Sequence, residues 1–412
     1  MTAVPLRRNR DFLLLQAGQL LSAAGTQLSS IAYPLLVLAV TGSAAKAGLV
    51  GFARTLPTAL LALPAGVAAD RWNRKWLMIA ADGVRVLALA VLATTILTGE
   101  SPFWLIVLAA SVEGAGATLF NPAQVGALRA VVPRRQLPAA TATQTGRQAA
   151  VRLLGPPVGG ALFAAARALP FVVDAISYAF STLSLLAMRT PFQEERAREE
   201  APLRSQLGVG FRFLWSRPFL RTCAFLFGFA NFIGPGILLA VVVIGTEQGL
   251  SGGEVGLLVA AVGACLLLGS LLSPLVRRVL PVRAVLVLEL WTWLGCALFV
   301  VWPNVYVLTL GILPTALAIP STNSVVHGYG IAMTPDRLLG RAEAARSTIA
   351  LLIAPLGPLV AGVLLANVSA RAAIAVFAAF ALVLALWGSL SPSIRAAPSL
   401  DELDAIASPE PG

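Results

Sequence analysis

Twelve long apolar runs constrain what this chain can fold into more than any other feature of its sequence. A helix needs about 20 apolar residues to cross the hydrocarbon core of a bilayer, and each run has about this length. The runs are Phe12–Val40, Lys46–Ala69, Trp76–Thr98, Pro102–Val125, Pro138–Ala166, Leu169–Met188, Pro218–Gly245, Gly252–Val276, Arg283–Val301, Pro303–Tyr329, Leu338–Ala366 and Arg371–Leu390. With 58% hydrophobic and 12% charged residues, the composition differs from that of soluble domains. The sequence therefore predicts an all-α, multi-pass membrane protein.

Most basic residues lie in the segments between these runs, and nearly all of those segments lie on the same side of the membrane if the runs cross it in turn. The chain carries a net charge of +11. The poorer side has only Lys46, Arg167 and Arg371. Because cytoplasmic loops carry the excess of arginine and lysine, the asymmetry predicts a plasma-membrane protein with both termini in the cytoplasm. The positive charge then faces anionic lipid, so the lipid bilayer, and not nucleic acid, is the expected partner.

Residues that commonly build metal centres or enzyme active sites are few and dispersed. His327 is the only histidine, and Cys223, Cys265 and Cys296 lie far apart inside apolar runs, which favours buried, reduced thiols. The sequence contains no G-x-x-x-x-G-K-[ST] loop, which disfavours direct use of ATP. We therefore expect a protein that is not an enzyme and that needs no metal or other cofactor.

The two halves of the chain repeat the same spacing of proline and glycine. Pro133 precedes Gly155 by 22 positions, and Pro335 precedes Gly357 by the same 22. Such matches in one register indicate a duplicated unit. We expect a six-helix bundle in residues 1–188, a cytoplasmic linker in 189–217, a second six-helix bundle in 218–390 and a cytoplasmic tail in 391–412. Within the linker, residues 203–215 mix apolar and basic side chains, which fits either an amphipathic helix at the membrane surface or a plain connection.

A short charged loop separates the second apolar run from the third. It has the spacing G-x-x-x-D-R-x-x-R-K, formed by Gly66, Asp70, Arg71, Arg74 and Lys75. This spacing resembles the loop between helices two and three of major facilitator superfamily transporters. The resemblance implies that Asp70 gates the cytoplasmic side by meeting the start of helix eleven, and Gly66 would permit close helix packing. For Arg74 and Lys75, a gating role and a purely topological role remain equally open.

Two further motifs are similar to the same family. The fifth run carries the G-P-x-x-G-G signature of its drug/proton antiporters, formed by Gly155, Pro156, Gly159 and Gly160. Ordinary tight helix packing is the other role that such residues serve. The eleventh run opens with a charged segment that resembles macrolide-efflux and enterobactin-exporter-like proteins, and its residues include Asp336, Arg337, Gly340 and Arg341.

The resemblance covers nearly the whole chain and implies a fold and a function. The fold is twelve transmembrane helices in two pseudo-symmetric six-helix bundles. The function is secondary active transport, with proton-coupled efflux of an amphipathic small molecule (a drug, macrolide or siderophore-like compound) by alternating access. Small-molecule substrate and protons are the expected ligands, and a monomer is expected. A facilitator or importer of the same fold, or a non-transporting membrane scaffold, remains as an alternative.

Ionisable residues inside the apolar runs are the candidates for proton or substrate binding, since such residues usually face a cavity or a partner. Glu113 and Arg54 lie at similar depth, about 16 Å along their helices. Glu113 is either the coupling or substrate carboxylate or one half of a permanent structural pair with Arg54. Arg147 is placed to reach a central cavity and attract anionic groups.

Two other acidic residues receive structural roles from the sequence. Asp82 and Arg85 are three positions apart on the third run and therefore neighbours on one helical face, which predicts a structural ion pair. Asp174, early in the sixth run, is assigned to packing.

Overall fold

The protein is described by a computed structural model that covers residues 6–190, 192, 203–335 and 338–397. These residues form α-helices, short 3-10 turns and connections, with no β-strand among them, so the all-α prediction is confirmed. Contacts between Cα atoms divide the chain into unit 1 (Met1–Ala197 with Gly245–Ala260) and unit 2 (Arg198–Ile244 with Ala261–Gly412). The predicted linker 189–217 and tail 391–412 lie partly outside the described residues.

The helices follow one another with short connections. In chain order they are α1 (Arg10–Thr41), α2 (Ala44–Arg71), α3 (Arg74–Leu97), α4 (Phe103–Val131), α5 (Leu137–Ala165), α6 (Leu169–Ala187), α7 (Leu203–Ser216), α8 (Pro218–Glu247), α9 (Gly252–Val279), α10 (Val282–Thr292), α11 (Leu298–Val301), α12 (Val305–Ala332), α13 (Leu339–Ile353), α14 (Leu356–Asn367), α15 (Ala370–Leu390) and α16 (Pro392–Arg395). Unit 1 contains α1 to α6 and the first turns of α9, and unit 2 contains most of the remainder.

Polar caps fix the tight turns of unit 1. Gly42 has a left-handed φ of 62° and ends α1, and the Ser43 side chain then accepts a hydrogen bond from the backbone N–H of Lys46 to begin α2. Asn73 caps α3 in the same way. Glycine after a helix and serine or asparagine before one are the residues that best satisfy the unpaired backbone groups at helix ends. Each of these connections has two residues, so consecutive helices turn back on each other.

Eleven helical segments of the described residues are long and apolar enough to cross a membrane. Two of these segments combine neighbouring helices, namely α10 with α11 and α13 with α14. With 29 residues, α5 has the necessary length but carries more polar residues and is not one of the eleven. Together with α5, these segments correspond to the twelve predicted runs.

Two of the predicted runs are interrupted. The eleventh run divides into α13 and α14 around Ala354 and Pro355, because proline has no N–H to donate to the preceding turn of a helix. The ninth run passes through a 3-10 turn at Trp293–Ala297. There a Cβ on Gly295 would collide with the carbonyl oxygen of Gly311 on α12, so the two backbones approach closely.

The linker contributes one helix to unit 2. Residues Leu203–Ser216 are helical and form α7, and a location of this helix at the membrane surface stays a prediction. It packs against α13, since a Cβ on Gly210 would collide with the carbonyl oxygen of Arg341. The helix that precedes α8 is therefore packed against another helix of unit 2.

Candidate functional site

Two stripes of small and polar residues bring α1 and α6 together in unit 1. On each helix the residues recur every three or four positions, which places them on one face. The stripes are Gly18, Ser22, Gly25 and Ser29 on α1, and Asp174, Ser177, Ser181 and Ser184 on α6. A Cβ on Gly18 would lie 3.2 Å from Cβ of Ser184, and one on Gly25 would collide with the side chains of Asp174 and Ser177. The stripes therefore face each other and carry polar groups into the bundle.

An ion pair joins α2 to α4 beside these stripes. Arg54 Nη2 lies 2.5 Å and Arg54 Nε 3.2 Å from Oε1 of Glu113. The helices are close at this level, since a Cβ on Gly114 would collide with the carbonyl oxygen of Arg54. The side chain of Glu113 is 3% exposed and that of Arg54 is 23% exposed. The two residues that the sequence places at one depth are thus in contact, and Arg54 is the more accessible of the two.

A second carboxyl group is linked to this pair through a serine. Ser29 Oγ lies 2.6 Å from Asp174 Oδ2 and 3.5 Å from Glu113 Oε2. Ser177 Oγ lies 3.2 Å from Asp174 Oδ1 and 2.7 Å from the Asp174 carbonyl oxygen. Asp174, Ser29 and Glu113 are all buried. Asp174 is therefore part of a polar network and does not serve packing alone.

Two tyrosines line this network. Thr26 Oγ1 and the Tyr178 hydroxyl are 2.8 Å apart, and the Thr26 carbonyl oxygen accepts a bond of 3.4 Å from Arg54 Nη2. The guanidinium carbon of Arg54 lies 5.8 Å from the centre of the Tyr33 ring, within the range of a cation–π contact. The network accordingly spans α1, α2, α4 and α6.

The predicted pair of Asp82 and Arg85 forms next to this network. Arg85 Nη1 donates to Asp82 Oδ1 over 3.1 Å, and both side chains are buried. The guanidinium carbon of Arg85 lies 4.9 Å from the Tyr178 ring centre and 5.5 Å from that of Phe120. Two aromatic faces and one carboxylate thus surround a single cation.

The charged loop between α2 and α3 is bound to the end of α6. Lys75 Nζ lies 2.7 Å from the carbonyl oxygen of Met188, and Arg74 Nη1 lies 3.4 Å from that of Phe192. Basic groups near the carbonyl end of a helix are stabilising. Arg74 also donates to the Ala69 carbonyl oxygen. The two basic residues therefore hold the start of α3 against the chain that follows α6, and their gating or topological role stays a prediction.

The other three motif residues, Gly66, Asp70 and Arg71, lie at the end of α2. Asp70 is 73% exposed and its Oδ1 lies 3.4 Å from Arg74 Nη2, while Arg71 is exposed. A Cβ on Gly66 would meet no other atom within 4 Å. The structure therefore shows no close contact at Gly66, and the packing role of this glycine stays a prediction.

The glycine-rich motif of α5 contacts α1 and the start of α9. A Cβ on Gly155 would collide with the Gln27 side chain, and one on Gly159 would lie 2.8 Å from the Leu28 carbonyl oxygen. A Cβ on Gly160 would collide with the carbonyl oxygen of Gly252, and one on Gly256 would collide with that of Pro156. The motif thus brings three backbones of unit 1 closer than side chains would allow.

A profile of the Major Facilitator Superfamily matches residues 16–280, more than half of the chain. The chain belongs to the Major Facilitator Superfamily. The all-α fold and the family that the motifs predict are therefore confirmed.

Individual relatives in this superfamily are named as efflux proteins. Multidrug efflux pump Tap of Mycobacterium bovis is 30% identical over 52% of this chain and 53% of that protein. Tap of Mycolicibacterium fortuitum is 26% identical over 96% and 98%, and macrolide efflux protein A of Streptococcus pyogenes is 25% identical over 46% and 47%. The match spans about half the length of the first of these relatives.

Solved structures share the fold of this superfamily member. A bacterial homolog of the human lysosomal transporter Spinster, inward-facing and unoccupied, has a TM-score of 0.74 at 16% identity and covers 96% of this chain and 98% of its own. At this identity the likeness shows the fold alone. The family match and the relatives, which are named as efflux proteins, make the chain a multi-pass membrane protein of a transporter family and not an enzyme.

The remaining candidate residues that the structure describes lie outside the polar network around Glu113 and Arg54. Arg147 Nη1 donates to Oε1 of Gln16 on α1 over 3.1 Å. A Cβ on Gly340 would meet no other atom within 4 Å, and Arg341 packs near α7. Asp336 and Arg337 lie outside the described residues, so the expected contact between Asp70 and the start of helix eleven stays a prediction.

The residue that sequence reasoning missed is Asp174. A signal was present, because Ser177, Ser181 and Ser184 continue from it on one face of α6, as Gly25 and Ser29 do on α1. Small and polar residues at this spacing mark a face that packs against another helix. Pairing the two stripes would have placed Asp174 beside Ser29.

Proposed function

We propose that this chain is a secondary active exporter that moves an amphipathic small molecule out of the cell while protons move in. Relatives named multidrug efflux pump and macrolide efflux protein support the direction and the type of substrate. The proposal includes alternating access, a plasma-membrane location with both termini in the cytoplasm, and a monomer. The substrate class is a drug, macrolide or siderophore-like compound.

The observation that carries the proposal is the ion pair between Glu113 and Arg54. A carboxylate and a guanidinium within a membrane-spanning bundle are costly, and such residues mark ion and substrate pathways. Glu113 is shielded at 3% exposure, whereas Arg54 at 23% is reachable. Arg54 can thus respond to a neighbouring ligand while Glu113 stays away from lipid.

Proton binding at Glu113 supplies the coupling. A protonated Glu113 no longer attracts Arg54 as a carboxylate does, and the guanidinium becomes an unbalanced charge. A ligand shifts a conformational equilibrium only if it interacts differently with the two conformations. The proton meets this condition, because the charged pair favours one arrangement of α2 and α4 and the neutral acid favours another.

Asp70 is the proposed latch on the cytoplasmic side. Arg74 and Lys75 anchor the start of α3 to the chain that follows α6, and Asp70 is an exposed acidic residue in the last turn of α2 beside this anchor. A carboxylate held on a fixed loop forms charge-assisted hydrogen bonds with a docking partner at little cost in ordering. Breaking and remaking these bonds would accompany each transport cycle.

Replacing Glu113 by glutamine tests the coupling role. Cells that produce the wild-type chain should keep ethidium and a macrolide at low concentration, and a protonophore should abolish this effect. Glu113→Gln keeps an oxygen acceptor for Arg54 but cannot exchange a proton, so both probes should accumulate as in cells without the chain. Undiminished proton-driven efflux by Glu113→Gln would reject the proposal.

Glu100→Gln is the matched control, since Glu100 is an exposed residue in the turn between α3 and α4 and its replacement should leave efflux unchanged. The same assay separates the alternatives. A facilitator or importer would move both probes down their own gradients with or without the protonophore. A membrane scaffold would move neither.

A further inference from the structure

We propose that Asp174 holds a proton in this conformation and that Ser29 passes this proton to Glu113. The inference rests on the proposed proton coupling and extends it, since it names where the proton is stored before it reaches the ion pair. Asp174 is then a positioning and proton-storing residue that acts on Arg54 through Glu113.

The distribution of charge is the first argument. Glu113 has the guanidinium of Arg54 at 2.5 Å. Among the ion pairs of the described residues, none includes Asp174, although its side chain is completely buried. One cation thus serves two buried carboxyl groups. A buried carboxylate without a cationic partner is strongly disfavoured, whereas a neutral carboxylic acid is not.

The supply of hydrogen atoms is the second argument. Ser29 Oγ is near Asp174 Oδ2 and Glu113 Oε2, at 2.6 Å and 3.5 Å, and its hydroxyl has one hydrogen to donate. If Asp174 were ionised, both of these oxygens would compete for that hydrogen. A protonated Asp174 instead donates to Ser29, and Ser29 can then donate toward Glu113. Ser29 Oγ also lies 3.2 Å from the Thr26 carbonyl oxygen, a second acceptor beside Glu113. A protonated Asp174 that donates to Ser29 leaves the one Ser29 hydrogen for these two acceptors.

The transfer follows from the same geometry. The O–H bond of Asp174 breaks as its proton moves to Ser29 Oγ, and the original Ser29 proton moves to Glu113 Oε2. Ser29 ends neutral, Asp174 becomes the carboxylate and Glu113 becomes the acid. The negative charge thus moves from Glu113 to Asp174, and Arg54 loses the partner that holds it. This end state is the disfavoured one, so the transfer costs free energy that the inward proton gradient supplies.

Other ionisable groups surround this relay on the helices that pack against it. They are Tyr33 on α1, Arg54 on α2, Asp82 and Arg85 on α3, and Tyr178 on α6. Asp82 and Arg85 neutralise each other. On α5, Arg147 bonds to Gln16, which is 13 positions from Ser29 and thus about 20 Å along α1. Arg85 and Arg147 therefore have other partners, and neither forms an ion pair with Asp174 among the described residues.

Infrared spectroscopy of the purified full chain in lipid tests the stored proton directly. A protonated carboxylic acid has a carbonyl stretch that a carboxylate lacks. Asp174→Asn should remove such a band at neutral pH, and Ser29→Ala should keep the band but change its frequency because the hydrogen-bond partner is lost. Glu113→Gln should leave it in place. A spectrum that Asp174→Asn leaves unchanged would overturn the inference.

Transport of ethidium in proteoliposomes tests the relay. Proton-driven efflux should fall by about tenfold or more in Asp174→Asn and Ser29→Ala, since loss of a proton-transferring group commonly costs this much. Ser29→Thr keeps the hydroxyl and should retain coupling, as should Ser22→Ala on the same face of α1. Ethidium exchange without a pH gradient should persist in all four variants.

Full coupling in Ser29→Ala would contradict the relay even if Asp174→Asn did not fold. If the wild-type chain showed no proton-driven efflux, the proposed function would fail, and the infrared band would still decide whether Asp174 carries the proton.

Discussion

Two pairs of a buried acid and an arginine lie in unit 1, and the surroundings of the two arginines differ. In the pair of Glu113 and Arg54, the arginine is accessible and a second carboxyl group is one serine away. In the pair of Asp82 and Arg85, the side chains are 0% and 4% exposed, and aromatic rings hold the arginine. A group that exchanges protons or meets substrate needs access, so we assign the first pair to function and the second to stability.

Replacing one or both members of the second pair tests this assignment. Asp82→Asn leaves Arg85 as a buried cation without its carboxylate, which should destabilise the chain by about 3–5 kcal/mol. Combining it with Arg85→Met removes the charge while keeping a long side chain, and should recover most of the lost stability. Thermal unfolding in detergent, followed by size-exclusion chromatography, measures both effects.

The double variant should also keep proton-driven efflux, with Glu100→Gln as the control for the assay. A double variant that is no more stable than Asp82→Asn, or that has lost proton coupling, would show that the pair is not merely structural.

Contacts between residues could be predicted from the sequence where depth along the helices decides which side chains meet. Counting residues from the helix ends placed Arg54 and Glu113 at one depth, and they meet. Asp174 was missed because its partner Ser29 is 145 positions away, and only the matching of helix faces connects them. For Gly66 the motif predicts packing, and a Cβ there would meet no atom within 4 Å; a motif does not specify which neighbours are close in a given conformation.

At the scale of helices, close contacts in unit 1 depend on missing side chains. Gly114 lets α4 reach the backbone of α2 at Arg54, and Gly160 lets α5 reach the backbone of α9 at Gly252. Without a hydrophobic force between helices in lipid, such packing is a principal source of association. The first contact holds the candidate site, and the second holds the glycine-rich motif.

Alanine at Gly160 tests this packing. Its Cβ would collide with the carbonyl oxygen of Gly252, and a backbone atom cannot move aside as a flexible side chain can. Gly160→Ala should therefore cost about 1–3 kcal/mol and lower the unfolding temperature in detergent. Gly146→Ala in the same helix is the control, because its Cβ would meet no atom within 4 Å. Equal unfolding temperatures for the two variants would contradict the packing role.

Whole helices were predictable because about 20 consecutive apolar residues can form all their backbone hydrogen bonds in lipid only as a helix. The loop residues Gly42, Ser43 and Asn73 then mark the ends. The break between α13 and α14 was not predicted, since the run around Pro355 is apolar throughout and resembles an unbroken span. The length of an apolar run predicts that it crosses the membrane, whereas the position of a proline decides whether the helix within it is continuous.

At the scale of the whole molecule, the buried acidic residues are unequally divided. Asp82, Glu113 and Asp174 belong to unit 1, and Glu289 is the buried acidic residue in the described part of unit 2. The duplicated pattern of the sequence thus carries different chemistry in its two copies. Under the proposed function, we therefore expect proton binding and release to depend on the acidic residues of unit 1.

Proton movement that depends on substrate is the most direct test of the account. The purified chain is placed in liposomes with an acidic lumen that contains a pH-sensitive dye, and ethidium is added outside. An exporter driven by protons should carry ethidium into the lumen and release protons from it, so the lumen should become more alkaline on addition of ethidium. Glu113→Gln liposomes should show no such change. Concentrative ethidium uptake without any change of luminal pH would contradict proton coupling.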